Sequence, residues 1–250
     1  MTRPLDGKVA LVTGAGKNIG RAIALGLAQD GASVIVNGRA DRAAIDAVVG
    51  EITAAGGKAM GYVANVADPR GVEQMIAAAV GTLGGLDIVV SNAGLRRQTA
   101  LLEMSYDEWR EILSVALDGA FILAKAAVPH LIQRGGGAMV ALSGVSAHVG
   151  TPNRCHVCAS KAGLEGLMRA LAVELAPHRI TCNCVAPGAI DTVRGAAAGK
   201  LPGTLTDQTI PLRRKGTVDE IAAMVRLLVG PDGSYITGQT IHVNGGAFLT

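Results

Sequence analysis

Apolar and polar positions fall in alternating blocks along this chain, and the blocks have two different periods. "KVALVTG" (8–14), "SVIVNG" (33–38), "KAMGYVANV" (58–66), "LDIVVSNAG" (86–94), "GAMVALSG" (137–144), "RITCNCVAPG" (179–188) and "QTIHVNGG" (239–246) are short runs, mostly apolar and bounded by glycine or polar turns. Each reads as a strand. Between them lie stretches with helical spacing: 18–31, about 41–55, a segment opened by Asp68-Pro69 and running to Leu83, 105–133, about 153–176 and 218–229. Ser105 and Glu108 have the spacing of a capping box at the head of the fourth of these.

Strands that are apolar on both faces need cover on both faces, so seven of them separated by helices predict an α/β fold with a parallel sheet. Right-handed crossovers then give a single doubly wound domain over residues 1–250, with its ligand crevice at the carboxyl ends of the strands. The stretch 189–216 leaves a strand end, carries glycines and prolines and lacks strong periodicity. It reads either as a lid over the crevice or as a plain surface excursion.

Composition narrows the class. The 250 residues include 49% hydrophobic and 17% charged positions, with a net charge of +3 and dispersed cations. With two Phe, three Tyr and one Trp there is no base-stacking platform, and a nucleic-acid partner is not expected. Cys155/Cys158 and Cys182/Cys184 have spacings that thiolate metal sites use. "ITCNCVAPG" nevertheless reads as a buried strand with both its cysteines on one face, packing as small hydrophobes, and no metal is expected. The opening "MTRPLDGKVALVTG" has too short an apolar run for a secretory signal, and no run approaches a membrane span. A cytoplasmic protein with reduced thiols is the expectation.

The chemistry begins at "TGAGKNIGRAIA" (13–24), a glycine-rich turn between the first strand and the first helix. Such a turn lets a phosphate approach the unsatisfied N–H groups at the helix start. Together with "NAG" (92–94), "SKAGL" (160–164), "VAPG" (185–188) and "ITGQTIHVNGG" (236–246), it resembles the short-chain dehydrogenase/reductase family from about residue 6 to 249. The resemblance implies a Rossmann-type fold and hydride transfer between NAD(P)(H) and an alcohol or carbonyl. Thr13, Gly14, Gly16, Ile19 and Gly20 would then belong to the dinucleotide loop. Asn18 replaces the usual middle glycine, and Asn tolerates left-handed backbone better than most residues. Asn65, with Val66 beside it, would meet the adenine in place of an aspartate; Asn92, Ala93 and Gly94 would line the adenosine ribose side. Pro187, Gly188 and Thr192 would meet the nicotinamide end. Arg39 stands where NAD-specific relatives carry an acid, and with Lys17 it could pair with a 2′-phosphate, so NADP(H) is expected over NAD(H).

The same resemblance exposes a deficit. The family uses a tyrosine to pass a proton, a lysine four residues on, a serine thirteen residues before the tyrosine, and an asparagine on the long helix. Lys161 is present; Val157, Gly144 and Ala116 occupy the other three places. None of the three side chains can donate, accept or ionise, and general acid–base catalysis alone is worth ~10²–10⁴-fold in rate. His156 should point away from the crevice and Ser143 should face the other side of its strand. Ser146 and His148, in the following loop, are the best replacement pair. Lys161 would hold a cofactor ribose or cap a remodelled pocket.

Three functions follow from this. The first is a catalytically inactive subunit that pairs with an active sister chain, as in the mixed acyl-CoA dehydrogenases of benzylsuccinate metabolism within the family. It would assemble as a homo- or hetero-tetramer through 105–133, 153–176 and the C-terminal segment, with Leu164, Leu167, Leu171 and Leu175 either in that interface or in the core. Arg96, Arg97 and Arg194 could meet an anionic substrate such as an acyl-CoA thioester. The second is an active NADP(H)-dependent oxidoreductase, or a repurposed lyase or cyclase, using His148/Ser146. The third is a dinucleotide-sensing regulator.

Overall fold

The computed structural model describes residues 3–193, 206 and 208–250. Seven parallel strands form one sheet in the order β3-β2-β1-β4-β5-β6-β7. They are β1 Val9–Val12, β2 Ser33–Gly38, β3 Lys58–Val63, β4 Ile88–Ser91, β5 Gly137–Leu142, β6 Ile180–Pro187 and β7 Thr240–Val243. The order reverses between β1 and β4, and the crevice opens at that switch point.

Side chains alternate across each strand and so feed two separate cores. Ala10, Val12, Val34, Val36 and Val140 pack under α1 (Asn18–Gln29), α2 (Arg42–Ala54) and α8 (Val218–Val229). Val9, Leu11, Ile35, Val89 and Met139 pack under α3 (Pro69–Leu83), α5 (Gly119–Gln133) and α7 (Cys155–Leu175). Cys182 and Cys184 lie together in the second core, where burial pushes both thiols up to about 12. Leu164 and Leu175 are buried in the same core and Leu167 and Leu171 pack against it, so these leucines serve the domain itself.

Several boundaries differ from the sequence expectation, each for a local reason. β3 stops at Val63, where Asn65 turns the chain by accepting from the Asp68 N–H at 3.0 Å, and β4 spans Ile88–Ser91, after which Asn92, Ala93 and Gly94 line the crevice. The expected 105–133 helix is α4 (Tyr106–Leu113), a π turn (Ser114–Asp118) and α5 in sequence. The Gly119 N–H donates to the Ser114 carbonyl five residues back, which inserts one residue into the helical ladder. A β-carbon on Gly119 would stand 2.9 Å from Val66, so the turn brings the helix close to the β3 end. The run Tyr106–Gln133 is also long and apolar enough to cross a membrane, with a mean hydropathy of 1.7 over its most apolar 18 residues, which the sequence expectation had not allowed. In this fold Ala120, Leu123, Ala124, Ala127 and Leu131 place its apolar side in the second core.

The expected capping box at Ser105 is half formed. Its hydroxyl accepts from the Glu108 N–H at 3.1 Å, but the Glu108 carboxylate turns to Thr99 and His156. A complete box sits at α8, where Thr217 and Glu220 exchange both hydrogen bonds. Replacing Thr217 by Ala is expected to cost about 1 kcal/mol, a melting-point fall of about 2–4 °C in a thermal scan. Of 189–216, residues 194–205 and 207 lie outside the described residues, and the lid reading lies there with them. The two ends of the segment meet in a bridge between Ile190 and Gly216.

Candidate active site

The carboxyl ends of β1, β4, β5 and β6 converge on a crevice of about 470 Å³. Its floor is the glycine turn. Thr13, fully buried at the end of β1, accepts from the N–H groups of Asn92 (3.0 Å) and Ala93 (3.1 Å), tying the ends of β1 and β4 together. The Asn92 carboxamide donates to the carbonyls of Thr13 (2.9 Å) and Gly14 (3.0 Å) and braces the turn from the other side. Gly20 faces the same carbonyl so closely that a β-carbon there would stand 2.3 Å from the Gly14 oxygen.

Asn18 takes φ +51°, the left-handed conformation its side chain suits. Its carboxamide also exchanges two 3.0 Å hydrogen bonds with the Val193 backbone across the crevice mouth. Sequence reasoning missed that pairing, because no local pattern links positions 175 residues apart. At the head of α1 no side chain caps the first turn and no acid stands in it. The free amides of Ile19 and Gly20 therefore open onto the crevice, as a pyrophosphate requires. Lys17, Arg96, Arg154 and Lys161 line it as well, and no carboxylate does so among the described residues. The dinucleotide that the resemblance implies fits such a donor set.

Most of the expected site residues come together here. Gly14, Lys17, Asn18, Ile19, Gly20, Asn92, Ala93, Gly94, Pro187, Gly188 and Thr192 all line the crevice, as do Gly144, Val157 and Lys161. Gly16, Arg39, Asn65, Val66 and Ala116 do not. A β-carbon on Gly16 would stand 3.2 Å from that of Ala44, so this glycine serves contact with α2. The Asn65 carboxamide oxygen accepts from the Ala67 N–H at 3.2 Å and shapes its own turn. Arg39 stands 3.8 Å from the Glu111 carboxylate, and Arg97 binds the same group at 2.6 Å. The expected Arg96/Arg97 pair is therefore divided, Arg96 lining the crevice and Arg97 turned to α4; Arg194 lies outside the described residues.

At the reacting end, α7 presents Val157 and, one turn on, Lys161. The Lys161 ammonium donates to the Leu142 carbonyl at the end of β5 and lies 3.7 Å from where a β-carbon on Gly94 would be. Burial, reinforced by the Arg96 charge, lowers its pKa to about 8. Val157 is 7% exposed and forms apolar wall beside it. None of Tyr62, Tyr106 and Tyr235 lines the crevice. Ala116 is buried in the π turn.

The proposed His148/Ser146 pair is separated. Ser146 lines the crevice, with its hydroxyl 3.6 Å from where a β-carbon on Gly144 would be. His148 turns away: its Nε2 lies 3.0 Å from the Glu165 carboxylate, and its ring stacks on Phe248 at 4.9 Å and meets His242 edge-on at 4.6 Å. The short helix α6 (Ser146–Val149) carries both residues, and one helical turn cannot aim positions 146 and 148 the same way. Ser143, expected to face the other side of its strand, also borders the crevice, although its hydroxyl is spent on the Glu165 carboxylate; His156 meets Glu108 at 3.2 Å, away from the crevice as expected.

A family model described as enoyl-(acyl carrier protein) reductase matches residues 14–247. The chain is 42% identical over 243 residues to a 3-oxoacyl-[acyl-carrier-protein] reductase of Staphylococcus aureus, covering 97% of this chain and 98% of that one. It is 39% identical over 246 residues to the 3-oxoacyl-[acyl-carrier-protein] reductase of Synechocystis, covering 98% of each. Among solved structures, a short chain dehydrogenase from Burkholderia cenocepacia in complex with NADP superposes with a TM-score of 0.90 at 36% identity, over 98% of this chain and 99% of that one. A short-chain type dehydrogenase/reductase from Mycobacterium marinum gives 0.91 at 36% identity, over 100% and 98%.

Proposed function

This chain belongs to the short-chain dehydrogenase/reductase family of NAD(P)-dependent oxidoreductases, and from that premise we propose that it is a dinucleotide-binding subunit without a proton-transfer group of its own, paired with an active sister chain. The observation that carries the reading is the wall at Val157: an isopropyl group stands beside the Lys161 ammonium, and no phenol reaches the crevice among the described residues. When bound, the dinucleotide supplies or accepts hydride at its nicotinamide ring. The open amides of α1 and the cations Lys17 and Lys161 hold it there, and NADP(H) is favoured because Gly38 and Arg39, with no acid, stand at the end of β2 where an acid would bind a ribose 2′-hydroxyl. That excess of cations also suits an anionic substrate, of which an acyl-CoA thioester is one. Assembly is supported by apolar groups left in water on the two long helices, Phe121 at 53% and Val173 at 80% exposure.

One observation favours a second reading, an active enzyme. Ser146 brings a hydroxyl near the place that a serine at 144 would fill, so it could bind a substrate oxygen even though His148 cannot serve it.

Titration of the purified chain with NADPH, followed by a turnover assay on a panel of ketones, separates the two. Saturable binding with no turnover is the expected result, and ketone reduction at rates usual for the family would defeat the subunit reading. The pH dependence of binding tests Lys161 separately. Its charge is nearly complete a unit or more below about pH 8 and is lost as pH rises through that value. NADPH affinity is therefore expected to hold to about pH 7.5 and to fall roughly tenfold by pH 9, with Lys161→Met weaker and flat across the range.

A further inference from the structure

We propose that Cys155 and Cys158 form a redox-active dithiol that exchanges with low-molecular-weight disulfides at the rim of the crevice. Cys155 is the first residue of α7, and Cys158 follows one turn later. In an α-helix, residues three apart have Cα atoms about 5 Å apart, from a 2.3 Å radius and a 1.5 Å rise. That separation falls inside the range a disulfide spans.

The two sulfurs have unequal surroundings, as sequential exchange requires. Cys155 is exposed, its thiol 4.0 Å from the Met104 thioether, so a dissolved disulfide can reach it. No side chain caps the first turn of α7, and its open amides favour the negative charge that an attacking sulfur carries. Cys158 is half-buried, and burial raises its pKa. The neighbouring Thr151 N–H and hydroxyl act in the opposite sense and lower it. That hydroxyl is buried and has no hydrogen-bond partner. The remaining thiols, Cys182 and Cys184, are sealed in the core.

The chemistry balances with a disulfide such as oxidised glutathione as oxidant. The Cys155 sulfur attacks one sulfur of the dissolved disulfide, whose S–S bond breaks, and the first glutathione thiol leaves with the Cys155 proton. The Cys158 sulfur then attacks Cys155 in the mixed disulfide. The Cys155–Cys158 bond forms, and the second glutathione leaves with the Cys158 proton. Two protein thiols are oxidised and one dissolved disulfide is reduced to two thiols. Val157, Thr151 and Arg154 line the crevice around this pair, so oxidation fixes the first turn of the wall where substrate would dock.

The test equilibrates the full chain in a ladder of reduced and oxidised glutathione, blocks free thiols with maleimide and digests with trypsin. Cleavage after Arg154 and Lys161 isolates the peptide CHVCASK. At the oxidising end this peptide is expected to lack maleimide and to be lighter by two hydrogens, with Cys182 and Cys184 still reduced. Cys158→Ser should stop at one glutathione on Cys155. A peptide that takes two maleimides at every ratio would overturn the proposal. So would wild-type peptide that keeps glutathione without closing the internal bond.

Discussion

Installing tyrosine at 157 and serine at 144 together is expected to raise NADPH-dependent ketone reduction by about 10²–10⁴-fold over the unaltered chain. The estimate rests on proton transfer alone, with the serine adding a donor to the substrate oxygen. The geometry admits both changes. A β-carbon on Gly144 meets nothing nearer than the Ser146 hydroxyl at 3.6 Å, an ordinary contact. A phenol at 157 would start from a crevice wall, one turn before Lys161, whose ammonium would favour the phenolate. The measurement is NADPH consumption for wild type, each single variant and the pair. The tyrosine alone should recover most of the gain. Equal rates in wild type and the double variant would mean that another group, Ser146 first among them, already does this work.

Gly20→Ala should abolish dinucleotide binding and destabilise the fold by about 3 kcal/mol, lowering the melting temperature by roughly 6–12 °C. A methyl group there would press to 2.3 Å from the Gly14 carbonyl oxygen, 2.5 Å from the Asn92 amide nitrogen and 2.9 Å from the Ala15 Cα. Two of those three atoms are backbone, so no rotamer change relieves the clash, and the loop that positions the free amides of α1 must move. Gly50→Ala in α2 is the control. Nothing lies within 4 Å of its β-carbon, and there alanine should stabilise by up to about 1 kcal/mol without touching binding. Calorimetry and NADPH titration of both variants decide it; equal behaviour would remove the loop-packing account.

The strand pattern and the glycine turn were legible because they rest on local sequence. Apolar runs bounded by turns located all seven strands, and the glycine pattern with the cations Lys17 and Lys161 located the crevice. Local pattern misled where a side chain had two partners to choose from. Glu108 has capping-box spacing, yet its carboxylate goes to Thr99 and His156 from other parts of the chain. His148 looked like a replacement acid because its loop follows β5, but Glu165, His242 and Phe248 hold it elsewhere.

The order of residues alone determined the doubly wound sheet, the phosphate-binding turn and the identity of the groups at 144, 157 and 161, since period, glycine placement and side-chain chemistry are properties of the chain itself. Tertiary structure alone decided that Asn18 grips Val193, that Arg96 enters the crevice while Arg97 leaves it, and that Cys155 stays in water while Cys182 does not. Those outcomes depend on which distant groups arrive beside each residue, and hydrogen bonds and burial are settled only when they do.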